Sequence, residues 1–185
     1  LWQKDGIHPQ LWEARPMARL TEDISAFFKY LARKKSDVSR MNESDALLAK
    51  VVLDIHRKRT GTEMVFVPLK AIRPIHPVDR GIAAEDVSKR AEIVAANKSE
   101  ILETRKITLA WLAAHIPSVS NIKVVEIRTG DFVSFEGNGR LEALRRVFRD
   151  EADVTVEVEQ YIFRPSDRTT IARRVNRVRR WNGVA

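Results

Sequence analysis

The sequence predicts an α+β fold, a mixed sheet with helices packed around it. Three observations lead there. Apolar stripes at helical spacing are interspersed along the chain with short β-rich runs. Residues 122–128 and 131–135 flank Thr129-Gly130 and read as a hairpin. Val154, Val156 and Val158 alternate with Thr155, Glu157 and Glu159, the period-two mark of a half-buried strand.

Taken in order, residues 1–20 are irregular, with Trp2 and Trp12 as expected anchors of an arm and Pro9 and Pro16 as breakers. Thr21 reads as an N-cap, with Ile24, Phe27, Phe28 and Leu31 as one apolar stripe. A second helix is expected from about Glu43 to Arg59, burying Leu47, Leu48, Val51, Val52 and Ile55 and stopping at Gly61. Residues 64–69 predict the first strand, with Pro68 confining it to a sheet edge or strand end. Residues 71–79 hold Pro74 and Pro77 and read as a loop. Residues 84–97 and 99–115 predict helices, the second broken near Thr108, a new cap. After the hairpin, residues 136–140 form a sharp loop, and Leu141, Leu144, Val147 and Phe148 mark a helix. Ser166 is the expected cap of a last helix carrying Ile171, Val175, Val178 and Trp181. The domain reading is an N-terminal arm and helical extension over 1–62, a main domain over 63–165 and an Arg-rich helix over 166–185.

Composition narrows the chemistry. With 185 residues, 44% of them hydrophobic and 31% charged, the chain suits one globular domain with an added subdomain. No apolar run reaches the roughly 18 residues of a membrane span, so no membrane partner is expected. Cysteine is absent, which excludes disulfides, thiolate metal sites, iron–sulfur clusters and cysteine nucleophiles. It also fits a reducing compartment, cytoplasmic or nuclear. The chain opens on Leu1, which leaves room for a targeting segment ahead of it. His8, His56, His76 and His115 show no paired ligand spacing, so no structural metal site is expected. Asn42-Glu-Ser44 and Asn97-Lys-Ser99 match a glycosylation pattern, but both stand at expected helix starts and read as caps.

A net charge of +8 and a pI near 10.0 favour anionic partners. Two stretches could hold them. In Phe135-Glu-Gly-Asn-Gly-Arg140 a strand gives way to a helix near Asn138. Gly137 and Gly139 allow a sharp turn and close approach of a ligand, the first helical amides lack intrahelical acceptors, and Arg140 can add a bidentate contact to phosphate oxygens. The motif is neither a Walker A loop nor a dinucleotide fingerprint, since no Gly-Lys-Ser/Thr follows and Glu142 stands where a third glycine belongs. The alternative reading is an ordinary Gly-rich turn. The second stretch is the last helix, whose Arg168, Arg173, Arg174, Arg177, Arg179 and Arg180 crowd the sides away from Ile171, Val175 and Val178. Arg173, Arg174 and Arg177 are its candidate nucleic-acid contacts, and a solvated basic face is the alternative.

Val67-Pro-Leu-Lys-Ala-Ile-Arg-Pro74 at a strand-to-loop junction, then helices and a hairpin, then Glu136-Gly-Asn-Gly-Arg-Leu-Glu-Ala-Leu144 is an order that resembles the ParB/sulfiredoxin superfamily over residues 64–163. The resemblance implies a ParB/sulfiredoxin-like mixed sheet, and phosphates held by the loop at Gly137, Asn138, Gly139 and Arg140. Among the superfamily's activities, ParB proteins bind CTP and DNA, sulfiredoxins use ATP to repair an oxidised cysteine, and free serine kinases phosphorylate serine. Sulfiredoxin chemistry is excluded here, because Asn138 stands where the catalytic cysteine belongs. Glu136-Gly137 is similar to the Asp-Gly of the kinase loop, which implies a role for Glu136 in holding Mg²⁺ or a water. In those kinases an acidic residue past the "I.P" signal is the base for the substrate hydroxyl; His76 and Asp79 are the nearest matches. The expectation is therefore a nucleotide-binding protein taking ATP, ADP or CTP, with phosphoryl transfer to a small hydroxyl acceptor as its chemistry. The alternative is a non-catalytic nucleic-acid-binding module.

Overall fold

The computed structural model describes residues 43–78, 81–149, 151 and 153–184. The expected arm with Trp2 and Trp12, the helix capped by Thr21, Asn42 and Asp79 lie outside the described residues.

The sheet is organised around its C-terminal strand. In chain order the elements are α1 (Glu43–Lys58), β1 (Arg59–Pro68), a 3-10 turn (Leu69–Ala71), β2 (Ile72–Pro74), α2 (Gly81–Ala96), α3 (Lys98–Thr104), β3 (Lys106–Ile107), α4 (Leu109–His115), β4 (Lys123–Arg128), β5 (Asp131–Glu136), α5 (Asn138–Val147), β6 (Thr155–Phe163) and α6 (Pro165–Trp181). Six strands run in the order β1-β6-β4-β5-β2, with β3 also paired to β6. β1 is antiparallel to β6, and β3 and β4 lie parallel to β6 at successive stretches of its length. β4 and β5 form the expected hairpin around Thr129-Gly130, and Gly130 takes the positive φ of 75° that the tight turn requires. β2 completes the mixed sheet, parallel to β5.

Parity along β6 shows that the sheet is covered on both sides. Val156 and Val158 join a core with Ile101, Ile107, Leu112, Val124, Leu141 and Leu144. Tyr161 and Phe163, of opposite parity, are buried too, and Tyr161 meets Phe135 and His56 edge-on at 5.0 and 5.4 Å. Helices α2 and α5 pack on each other on the first side; α1 packs on α6, and α6 on β4. The α+β class and the mixed sheet with surrounding helices are thus as the sequence predicts.

Several boundaries differ. Gly61 does not end a helix: α1 runs straight into β1, and Gly61 sits in that strand where its register with β6 shifts. β1 is ten residues long rather than six, and Pro68 closes it, opposite Thr155 at the sheet's end. The Pro-rich loop contains β2, because Ile72, Arg73 and Pro74 find parallel partners in Phe132, Val133 and Ser134. The helix expected over 99–115 is two short helices separated by β3. Arg105, in the left-handed region at φ 55°, turns the chain, and the Thr108 side chain accepts from the Trp111 amide at 3.1 Å as the new cap. α6 begins at Pro165, with Ser166 inside its first turn, because the ring fixes φ at a helical value. Asn97 does precede α3, but its side chain donates to the Ile93 carbonyl rather than capping. Among the described residues no helix is long and apolar enough to cross a membrane.

Candidate anion-binding site

The corner between β5 and α5 is set by one glycine. Gly137 has φ +77°, and a Cβ there would lie 2.8 Å from the Ile122 Cα, so the turn needs both the conformational freedom and the missing side chain. From Asn138 onward Leu141, Ala143, Leu144 and Phe148 are buried and dock the helix on the sheet. No side chain caps its start. The amides of Arg140 and Leu141 both reach back to the Gly137 carbonyl at 3.1 Å, while the two amides before them lack intrahelical acceptors.

Around this end the polar groups are unusually placed. A Cβ on Gly139 would stand 2.9 Å from Nη1 of Arg90, so the α2 guanidinium lies directly over the first turn of α5. Arg146 of α5 donates to the Ser88 hydroxyl of α2 at 3.3 Å, tying the two helices about two turns further along α5. Asn138, 6% exposed, donates from Nδ2 to Nε2 of His76 at 3.3 Å, and its Oδ1 is buried without a partner. The same His76 donates from Nδ1 to the Pro77 carbonyl at 2.9 Å.

Arg140 is not the open arm that the sequence predicts. It is 3% exposed and its Nη2 donates to the Ser120 carbonyl, pinning the segment before β4 to the start of α5. Its Nε is buried without a partner. Burial, with the nearby charge of Arg90 adding to it, pulls its pKa down to about 10. The half-buried Arg90, not Arg140, places its guanidinium beside Gly139. Among the described residues no carboxylate pairs with Arg90 or Arg140, so two guanidiniums and a helix N-terminus meet without a counter-charge.

Glu136 faces other work. Its Oε1 accepts from His56 Nε2 and its Oε2 from Lys123 Nζ, both at 3.0 Å. His56 Nδ1 in turn accepts from Arg59 at 2.9 Å, and the same Arg59 nitrogen donates to the Tyr161 hydroxyl at 2.8 Å. Burial opposes the Glu136 charge, but the His56 hydrogen bond and Lys123 outweigh it and hold the carboxyl below its usual range. The burial of Tyr161 pushes its hydroxyl up to about 12. Both Glu136 oxygens are thus engaged in a polar cluster with α1. Among the described residues no group of three or more His, Asp or Glu side chains could hold a metal ion by itself.

The sequence reading missed Arg90 and His56, and each left a signal. Arg90 falls at i+3 from buried Val87, which places it on the inner side of α2. His56 follows buried Ile55 and stands four residues after buried Val52. The arginines of α6 divide as follows. Arg168, Arg173, Arg177 and Arg180 are exposed, Arg174 pairs with Asp54 of α1, and Arg179 is buried and donates to the Pro74 carbonyl at 3.3 Å. Arg179 therefore does not belong to the basic face. Comparison of the chain with protein-family models, curated proteins and solved structures finds no match in any of the three.

Proposed function

We propose that the chain binds a phosphate-bearing small molecule of nucleotide type at the start of α5. Membership of the ParB/sulfiredoxin superfamily is part of the same proposal. One observation carries it: the uncapped helix end lies under Arg90 and beside buried Arg140, with no carboxylate paired to either among the described residues. An anion there would meet free amides, a favourable dipole and a guanidinium fork together. The partnerless Nε of Arg140 offers a further buried donor. The Oδ1 of Asn138 is an acceptor, suited to a sugar hydroxyl or a protonated phosphate oxygen.

The support is for binding. Phosphoryl transfer needs a base: both nitrogens of His76 are occupied and Asp79 lies outside the described residues, while Glu136, expected to hold Mg²⁺ or a water, is engaged by His56 and Lys123. Thermal unfolding with ATP, ADP, CTP and inorganic phosphate at millimolar concentration, with and without Mg²⁺, tests the reading. A ligand at 100 times its Kd adds about 2.7 kcal/mol, or a rise of about 5–10 °C for a chain of this size. Replacing Arg90 by Ala should remove most of that rise while leaving the unliganded midpoint within about 2 °C. If no phosphate compound moves the midpoint, the reading fails.

A further inference from the structure

We propose that α6 carries a second and separate site, one that takes single-stranded nucleic acid, with the sugar-phosphate backbone on Arg173, Arg177 and Arg180 and a base stacked on Trp181. The inference does not rest on the reading of the α5 corner, and α6 lies beyond the segment that resembles any family.

The three arginines stand at i, i+4 and i+7, all exposed, and among the described residues none has a carboxylate partner. Trp181 follows Arg177 by four residues and is 54% exposed. At 3.6 residues per turn and 1.5 Å rise, these four side chains fall within an arc of about 100° and along about 12 Å of helix. They form one row that ends in an aromatic plane. Opposite the row, Ile171, Val175 and Val178 are buried against the body, so the orientation of the helix is fixed by packing.

The helix dipole accounts for cations in the last turn, such as Arg180, but not for Arg173 two turns earlier. Solvation would be served equally by lysine, yet every basic residue of α6 is arginine. The guanidinium plane binds phosphate through two parallel bonds and also stacks on bases. A membrane surface fits poorly, because the large aliphatic residues of α6, Ile171, Val175 and Val178, face inward. A duplex hides the faces of its bases, whereas a single strand offers them to an exposed indole. The cleft between α1 and α6, lined by Leu47, Lys50, Val51, Asp54, Arg174 and Arg177, adds the cation of Lys50 beside the row.

The test is fluorescence polarisation with the intact chain and a labelled 15-nucleotide single strand, the matching duplex, and acidic phospholipid vesicles as a competitor. The expected result is single-strand binding at least tenfold tighter than duplex binding. Three phosphate contacts at a slope of about 0.7 each predict that affinity falls about 20-fold between 50 and 200 mM salt. Replacing Arg173, Arg177 and Arg180 together by Ala should abolish this dependence. Trp181→Ala should weaken the single-strand complex about 5-fold or more, and Trp181→Phe should keep most of it. Because all four side chains are surface groups, the variants should melt with the parent chain. No binding at 50 mM salt overturns the proposal. So does duplex binding as tight as single-strand binding, an unchanged Trp181→Ala variant, or displacement of the oligonucleotide by vesicles at equal charge.

Discussion

Gly137 shows how much a single residue can decide. It combines φ +77° with a contact in which any Cβ would stand 2.8 Å from the Ile122 backbone. The neighbour is main chain, so it cannot swing away as a flexible side chain would. Gly137→Ala is therefore expected to cost about 2 kcal/mol or more, from left-handed strain alone before the clash is counted. Denaturant unfolding would show it as a lowered midpoint with an unchanged slope. The same substitution at Gly130, also at positive φ but with nothing within 4 Å, should cost less, since only the strain remains. Gly139 differs again: its neighbour is the end of the Arg90 side chain at 2.9 Å, so a methyl there would displace the proposed phosphate arm rather than the fold. The need for glycine at 137 was legible from the strand-to-helix change around it. The buried setting of Arg140 was not, because which way a side chain leaves the first turn depends on the Ser120 segment brought up beside it.

At the scale of elements, the interrupted stretch from α3 to α4 repays attention. The residues from Lys98 to His115 have enough helix formers to read as one helix, and local propensity alone would leave it so. Two features break it. Arg105 enters the left-handed region, and its carbonyl accepts from the amide of Thr155 at 2.9 Å, which draws Lys106 and Ile107 onto β6 as β3. Thr108 then restarts the helix with its hydroxyl on the Trp111 amide. Replacing Thr108 by Ala should cost about 1 kcal/mol, the usual worth of an N-cap, while Thr108→Ser should cost little. Chemical denaturation of the two variants side by side would separate the lost cap from a lost methyl contact. The break at Thr108 was readable from its residue type before an apolar run. The strand before it was not, since two residues carry no periodicity and gain their order from β6 alone.

Across the whole molecule, the two faces of the sheet do different things. One face supports α2 and α5 and the proposed phosphate corner. The other carries α1 and α6, and here Glu136 ties β5 to α1 through His56 and to β4 through Lys123. That tie has a pH signature. The folded state holds the Glu136 carboxyl below its ordinary value of 4.5, so its contribution is complete above that value and is lost as pH falls through the lower folded value. Glu136→Gln should cost about 2–3 kcal/mol at pH 7, discounted from the range for fully buried pairs because the side chain keeps 18% of its exposure. The gap between variant and parent should narrow in acid. Unfolding free energies at pH 7, 5 and 3.5 would check this; a gap that stays constant or widens would mean that Glu136 acts by packing rather than by charge.

By itself the sequence determined what periodicity and local chemistry control: the α+β class, the hairpin at Thr129-Gly130, the turn at Gly137, the cap at Thr108 and the surplus of positive charge. These follow from neighbours a few residues apart. Only the tertiary structure decided which charges face one another. It laid Arg90 over Gly139, turned Glu136 to His56 eighty positions away in the chain, buried Arg140 and Arg179, and left Arg173, Arg177 and Arg180 in one row ending at Trp181. Electrostatic energy depends on distance through space and on burial, and neither is a property of sequence spacing once helices and strands pack across the sheet.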